Sequence, residues 1–367
     1  MPIVTADWGN IWYGRFAGDA QPGAFGPTDG KTWMTPTVVF ETYWRFAAER
    51  LAMFFRRHTD PNGPWTSDSI LKAYRFTNAY RAADRVSQYL IREVQARPDR
   101  PQTAREIFFR TMLFKIFNRI DTWETLEVRL GPIEWRNIDL EKVDRTLEDL
   151  RSRGQKIYSA AYIMPSPRLG HRSKHTNHIA LLAQMMEERV AERVRRARSL
   201  RSVYDLILRY PGIGPFLAFQ YTIDLNYSSI MGFEESEFVV AGPGAHDGIS
   251  KCFEDTGGLS SEDIIYWMTD HQEAEFRRLG LTFPGLFGRL LQPIDCQNLF
   301  CEISKYARIA HPDIVGIAKR TRIKQRYRPN RRPAPLPQFP ERWGLNVNLV
   351  FSARDGTYVE SLQPSLL

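Results

Sequence analysis

Cysteine is almost missing from this chain. Cys252, Cys296 and Cys301 are the only three among 367 residues, too few and too oddly spaced for a disulfide framework or an iron–sulfur site. A reducing, cytoplasmic setting is therefore expected. Long apolar runs are missing too: no stretch approaches the roughly 20 apolar residues of a membrane helix. Met1-Pro2-Ile3-Val4-Thr5-Ala6-Asp7 lacks the pattern of a secretory signal, so no membrane partner is expected. Histidine is sparse, at seven residues, and three of these, His171, His175 and His178, cluster near the start of one helical run. Two of them lie four apart, as metal ligands on a helix would. No carboxylate or thiol beside them completes a set, and neither a metal nor another cofactor is expected. A nucleotide-binding loop is also lacking. Gly30-Lys31-Thr32 looks like the end of one, but the required first glycine falls at Phe25, with Gly26 one place off.

What is present is a large apolar complement and an excess of positive charge. With 43% hydrophobic and 13% aromatic residues, the chain can bury one big or two modest cores. The net charge of +8 comes mainly from arginine, whose bidentate fork suits phosphate. The stretch that gives this charge a direction is Leu208-Arg209-Tyr210-Pro211-Gly212-Ile213-Gly214-Pro215-Phe216-Leu217-Ala218. A helical run ends at Tyr210, and Pro215 can open a second helix without losing a hydrogen bond. Gly212 and Gly214 can take positive φ and leave amides bare beside a helix N-terminus, where a phosphate oxygen fits. This pattern is a helix-hairpin-helix, which grips a DNA strand by its backbone without reading sequence. Gly212, Ile213 and Gly214 are the contacts expected of it.

Three domains are expected in order: an irregular Gly-, Pro- and aromatic-rich arm over 1–38, a helical body over 39–310, and a basic, proline-rich tail over 311–367. In the body, helices are expected over 38–57, 68–94 and 103–118, over 139–154, and in a long run from the histidine cluster to about Arg198. Asn78, Arg81 and Arg85, spaced i, i+3 and i+7, would share one face of the second, with Asp84 beside them. Beyond the hairpin, Ala241-Gly242-Pro243-Gly244-Ala245-His246-Asp247-Gly248-Ile249 is a glycine-rich loop opening a helix. Gly242, Gly244 and the nearby Lys251 are its candidate anion contacts. Gln297 to Tyr306 forms a helix carrying Glu302 and Lys305 on one side. The tail from Lys319 to Arg328 interleaves cations with Tyr327, a composition suited to a nucleic-acid backbone.

These residues resemble the helix-hairpin-helix DNA glycosylase superfamily. Phe76-Thr77-Asn78-Ala79-Tyr80-Arg81-Ala82-Ala83-Asp84-Arg85, Ala241-Gly242-Pro243-Gly244-Ala245 and Cys301-Glu302-Ile303-Ser304-Lys305-Tyr306 are more closely similar to its DNA-base hypermodification branch. That branch includes the helical domain associated with 5-hydroxymethyl-deoxyuridine DNA kinases, phage thymine-pyrophosphorylase-like transferases and anti-phage glycosylases. The resemblance covers about residues 40–310 and implies a mostly α, glycosylase-like helical fold. Its partner would be double-stranded DNA with modified bases, such as phage DNA. It implies an enzyme that flips out a modified base and cuts its N-glycosidic bond, a charge-building step that a carboxylate assists.

Gly242 and Pro243 fall where such enzymes carry the catalytic Asp, so Asp224, Asp84 and Glu302 are the candidates. Asp247 is a further substitute by proximity. Asn78, Arg81, Gln297 and Asn298 would read the base or its decoration. Phe216 stands where strand-cutting relatives have a lysine, so the resemblance implies no Schiff-base lyase. Two alternatives remain: a transferase that adds an amine or amino acid to activated 5-hydroxymethyluracil in DNA, and a non-catalytic DNA-binding module. Without a nucleotide-binding loop the transferase would need a partner to activate the base, which tilts the expectation toward excision.

Overall fold

The structure, a computed structural model, describes residues 34–162, 164–329 and 334–347. The arm over 1–33 with Gly30-Lys31-Thr32, residues 330–333 of the proline-rich strap and the chain beyond 347 lie outside the described residues. Thirteen α-helices and one two-stranded sheet make up the described part, as the mostly helical expectation requires. The chain divides into two compact units, each discontinuous in sequence. Among described residues, 34–81, 241–329, 334–336 and 346–347 form the first, and 82–162, 164–240 and 337–345 the second. The body expected over 39–310 is thus shared between them.

In the first unit, α1 (Val38–Thr59) starts at Thr37, whose hydroxyl accepts the Val39 amide, and buries Phe40, Tyr43, Trp44 and Phe46. A side-chain oxygen at that position satisfies an amide the helix cannot. Asp68 caps α2 (Ser69–Ala73) in the same way. The other helices of this unit are α11 (Pro243–Cys252), α12 (Ser261–Arg278) and α13 (Pro293–Ala310). Strand β1 (Thr35–Pro36) pairs antiparallel with β2 (Phe253–Asp255). At the middle of the unit α11 crosses α13 without room for side chains between them. A Cβ on Gly248 would stand 2.1 Å from the Phe300 carbonyl oxygen, and one on Gly244 2.9 Å from Cys301 Sγ.

The second unit comprises α3 (Arg85–Tyr89), α4 (Ala104–Phe117), α5 (Ile120–Leu130), α6 (Leu140–Ser152), α7 (Lys174–Glu187), α8 (Val190–Arg195), α9 (Leu200–Leu208) and α10 (Pro215–Asn226). Helix α4 is buried on every face from Glu106 to Phe117, which places it at the centre. Its two internal cations need partners there. Arg110 donates to the carbonyls of Val94 and Pro101, at 2.8 and 2.9 Å.

Two expected helices are broken. The run over 68–94 is α2, an irregular segment, a single 3-10 turn at Arg81–Ala83, α3 and a π-helical stretch, Leu90–Gln95. Asn78, Arg81 and Arg85 therefore share no helical face. The reason is tertiary: side chains of α13 take up the amides of Thr77 and Arg81, so helical hydrogen bonds are not needed there. The run expected from the histidines to Arg198 stops at Glu188, and Arg189 takes a left-handed φ of 55° before α8 begins.

Candidate functional site

The hairpin lies in the second unit, between α9 and α10. Gly212 takes a φ of 79° and a Cβ there would come within 3.0 Å of Pro167 Cα, so the position demands glycine twice over. Gly214 does not follow suit. Its φ is −83° in extended backbone, it caps α10, and nothing lies within 4 Å of its missing Cβ. Ile213 is buried and its amide donates to the Tyr210 carbonyl, so it anchors the turn from inside. No hydrogen bond among the described residues takes up the amides of Gly212 and Gly214. Pro211, Gly214 and Pro215 are exposed.

In the first unit, the motif over 76–81 lies along one face of α13. Asp295, Asn298, Glu302 and Lys305, spaced i, i+3, i+7 and i+10, line that face. Asp295 Oδ1 accepts the Arg81 amide at 2.7 Å, and Asn298 Nδ2 donates to Thr77 Oγ1 at 3.1 Å. Glu302 Oε2 accepts the Thr77 amide at 3.1 Å and pairs with Lys305 Nζ at 2.6 Å, while Lys305 also lies over the Phe76 ring. From α1, Arg50 Nε donates to the Thr77 carbonyl. Gln297 Nε2 donates to Cys301 Sγ at 3.2 Å, beside the Gly244 contact. Burial pushes that thiol up to about 12, with the Glu302 carboxylate adding to it. The segments over 76–81, 241–245 and 301–306 thus converge on α13, with Asn298 and Glu302 on Thr77 and Asp295 on Arg81, while Gln297 meets Cys301 on the side facing α11.

The carboxylate candidates Asp84 and Asp224 belong to the second unit. Asp84 caps α3 by accepting the Val86 amide. Asp224 is fully buried in the second unit, its Oδ2 3.1 Å from Lys115 Nζ, which also donates to Asn118 Oδ1 at 2.7 Å. Lys115 was not singled out in the sequence. Its one signal there is a cation inside the otherwise apolar run after Arg110.

Gly242 and Gly244 take no left-handed conformation: Gly242 caps α11 and Gly244 lies inside it. Gly244, together with Gly248, serves the close approach of α11 and α13. Lys251 is buried, and its Nζ donates to the Ser304 carbonyl at 3.0 Å. Above it the tail is pinned. Asp247 accepts the Ala318 amide at 2.7 Å and the Ser304 hydroxyl, and Gly316 lies so close that a Cβ would meet Asp247 and the Lys251 side chain. Further on, Tyr74 and Arg326 form an antiparallel bridge, with Arg326 over the Tyr74 ring. Lys319, Arg320, Arg322, Lys324, Arg326 and Arg328 are all exposed.

The histidine cluster diverges. His171 is exposed, while His175 is buried 3.5 Å from Asp144 and 3.4 Å from Glu148. His178 Nε2 donates to the Pro165 carbonyl and its Nδ1 accepts the Tyr158 hydroxyl, at 2.9 and 2.7 Å. Burial lowers His178 to about 4. No helix among the described residues is long and apolar enough to cross a membrane.

A helical DNA-base modification domain is the class these segments define. The chain belongs to the family of the helical domain of 5-hmdU DNA kinase, whose model matches residues 37–316. It is 25% identical over 292 residues to a 5-hmdU DNA kinase of Bacillus phage SP10, which covers 74% of this chain and 45% of that protein. The chain therefore spans less than half the length of that relative. No solved structure matches. These findings correct the expected chemistry: the named relative is a DNA kinase, and excision of a base by a glycosylase is overturned.

Proposed function

We propose that this chain is a DNA-base hypermodification transferase acting at the 5-hydroxymethyl group of uracil in DNA. The observation that carries this reading is the match over 37–316 to the helical domain of a kinase named for that nucleoside. The convergence of the three hypermodification-like segments on α13 supports it. The change of chemistry also changes what the protein must do to the duplex. A glycosidic bond is reached only by flipping the base, whereas the substituent at C5 points into the open major groove. Group transfer at that substituent needs an acceptor for the nucleophile's proton and donors that orient the base edge. That proton comes from the 5-hydroxymethyl hydroxyl when it attacks a phosphoryl group, or from an amine displacing pyrophosphate. Glu302 is the acceptor we assign, with Asn78, Arg81, Gln297 and Asn298 as the orienting set. The hairpin at Gly212-Ile213-Gly214 and the pinned basic tail hold phosphates, and the partner is double-stranded DNA carrying the modified base.

Mass spectrometry of digested DNA tests this. One duplex carries 5-hydroxymethyl-deoxyuridine and is supplied with ATP; a second carries the same base already pyrophosphorylated and is supplied with an amine. A new base mass in either, lost in Glu302→Gln, is the expected outcome. Unaltered base in both duplexes would sink the proposal.

A further inference from the structure

In the second unit the surface beside the hairpin turn is built from a loop that the proposed function has not used. Pro167, the residue against which Gly212 seats, leads into Arg168, Leu169, Gly170, His171, Arg172 and Ser173 before α7 begins. Arg168, His171, Arg172 and Lys174 are all exposed, and Arg209, just before the turn, is exposed as well. None of the four arginines and lysines forms an ion pair among the described residues. No acidic residue occurs between Met164 and Met186. Elsewhere in this unit many exposed arginines sit beside carboxylates, such as Arg151 with Glu148 and Arg201 with Asp205. The loop is also held stiff. Buried Asn177 accepts the amides of Leu169 and His171 and donates to the carbonyls of His171 and Ser173. Arg168 and Gly170 stand at φ of 52° and 89°, a conformation that persists at an arginine only where the surroundings impose it.

The geometry points to a second phosphate-binding element: the loop over 168–174 takes the DNA backbone next to the hairpin, through Arg168, Arg172 and Lys174. This rests on the reading of DNA as the partner. Cations without carboxylate partners on a pre-ordered loop, Lys174 resting only on the Tyr158 ring at 4.4 Å, release counterions from phosphates with little ordering cost, and guanidinium forks suit phosphate oxygens. The test uses the full chain and an unmodified duplex, with the dissociation constant measured across salt concentrations. The triple variant Arg168→Asn, Arg172→Gln, Lys174→Gln keeps a side chain tolerant of positive φ at 168. Its logarithmic salt slope should fall by about two to three. A control, Arg195→Gln, Arg196→Gln, Arg198→Gln, removes the same charge from exposed positions on and after α8 and should leave the slope unchanged. Should the triple variant misfold, Arg172→Gln alone should lower the slope by about one. An unchanged slope, or an equal fall in the control, overturns the loop while leaving DNA as partner. If the wild-type chain binds no duplex at any salt, both the loop and the reading beneath it fail.

Discussion

At the scale of single residues, Lys115 and Asp224 present the sharpest energetic demand. Both side chains are almost wholly buried and 3.1 Å apart, where a charge is tolerable only with its counter-charge in place. Gln95 Nε2 adds a bond to the Asp224 carbonyl at 2.8 Å. Replacing Lys115 by Met strands the carboxylate and should cost about 3–5 kcal/mol, read by chemical denaturation. Adding Asp224→Asn removes the stranded charge, and much of that loss should return. A single variant within about 1 kcal/mol of the parent would show that the pair is not desolvated. Asp224 was legible in the sequence as a carboxylate in the helix after the hairpin. Its partner was not, because 109 positions separate them in the numbering and only packing brings α4 to α10.

At the scale of elements, the two hairpin glycines looked alike in sequence and do different work. Gly212 is required by its positive φ and by the backbone of Pro167 beside it. Gly214 keeps its missing Cβ facing open space. Gly212→Val should therefore lower the melting temperature and disorder the turn. Gly214→Val should leave the fold within about 1 kcal/mol, the size of a cap effect. It should weaken binding to duplexes of any sequence by covering the bare amides. Equal affinity in a folded Gly214→Val variant would remove the hairpin from the interface. The glycines at 244 and 248 are set by packing. A glycine-rich stretch before a helix suggests an anion site, and only the partner helix reveals that Gly244 and Gly248 also seat α11 on α13.

At the scale of the whole molecule, histidines set the response to acid. Burial lowers His58, His175, His178 and His311 below the ordinary value. For His175 the carboxylates of Asp144 and Glu148 oppose this without outweighing desolvation. A group protonated more easily when unfolded favours the unfolded chain in acid, so these contributions are complete above about pH 6.5 and fade as pH falls. With His178 at about 4, its share of the loss at pH 5 is about 2 kcal/mol. The melting temperature should fall between pH 7 and 5, and His178→Gln should flatten the fall. A melting temperature indifferent to pH in this range would contradict neutral, buried histidines.

The sequence by itself determined the helical class, the turn between α9 and α10 and the likeness to a DNA-base modification family, which the family model bears out over 37–316. Each of these is written in local chemistry: apolar periodicity, a proline after two glycines, short motifs. It could not decide the chemistry at the base, because a glycosylase and a transferase can be built on similar local segments. Tertiary structure decided what the segments do together. The amides over 76–81 are satisfied by α13 rather than by a helix of their own, a long-range exchange of hydrogen bonds with no periodic trace. Lys251 is turned inward for the same kind of reason, since the Ser304 carbonyl and the pinned tail close over it. Local pattern fixes which backbone groups need partners, and only the packed chain supplies them.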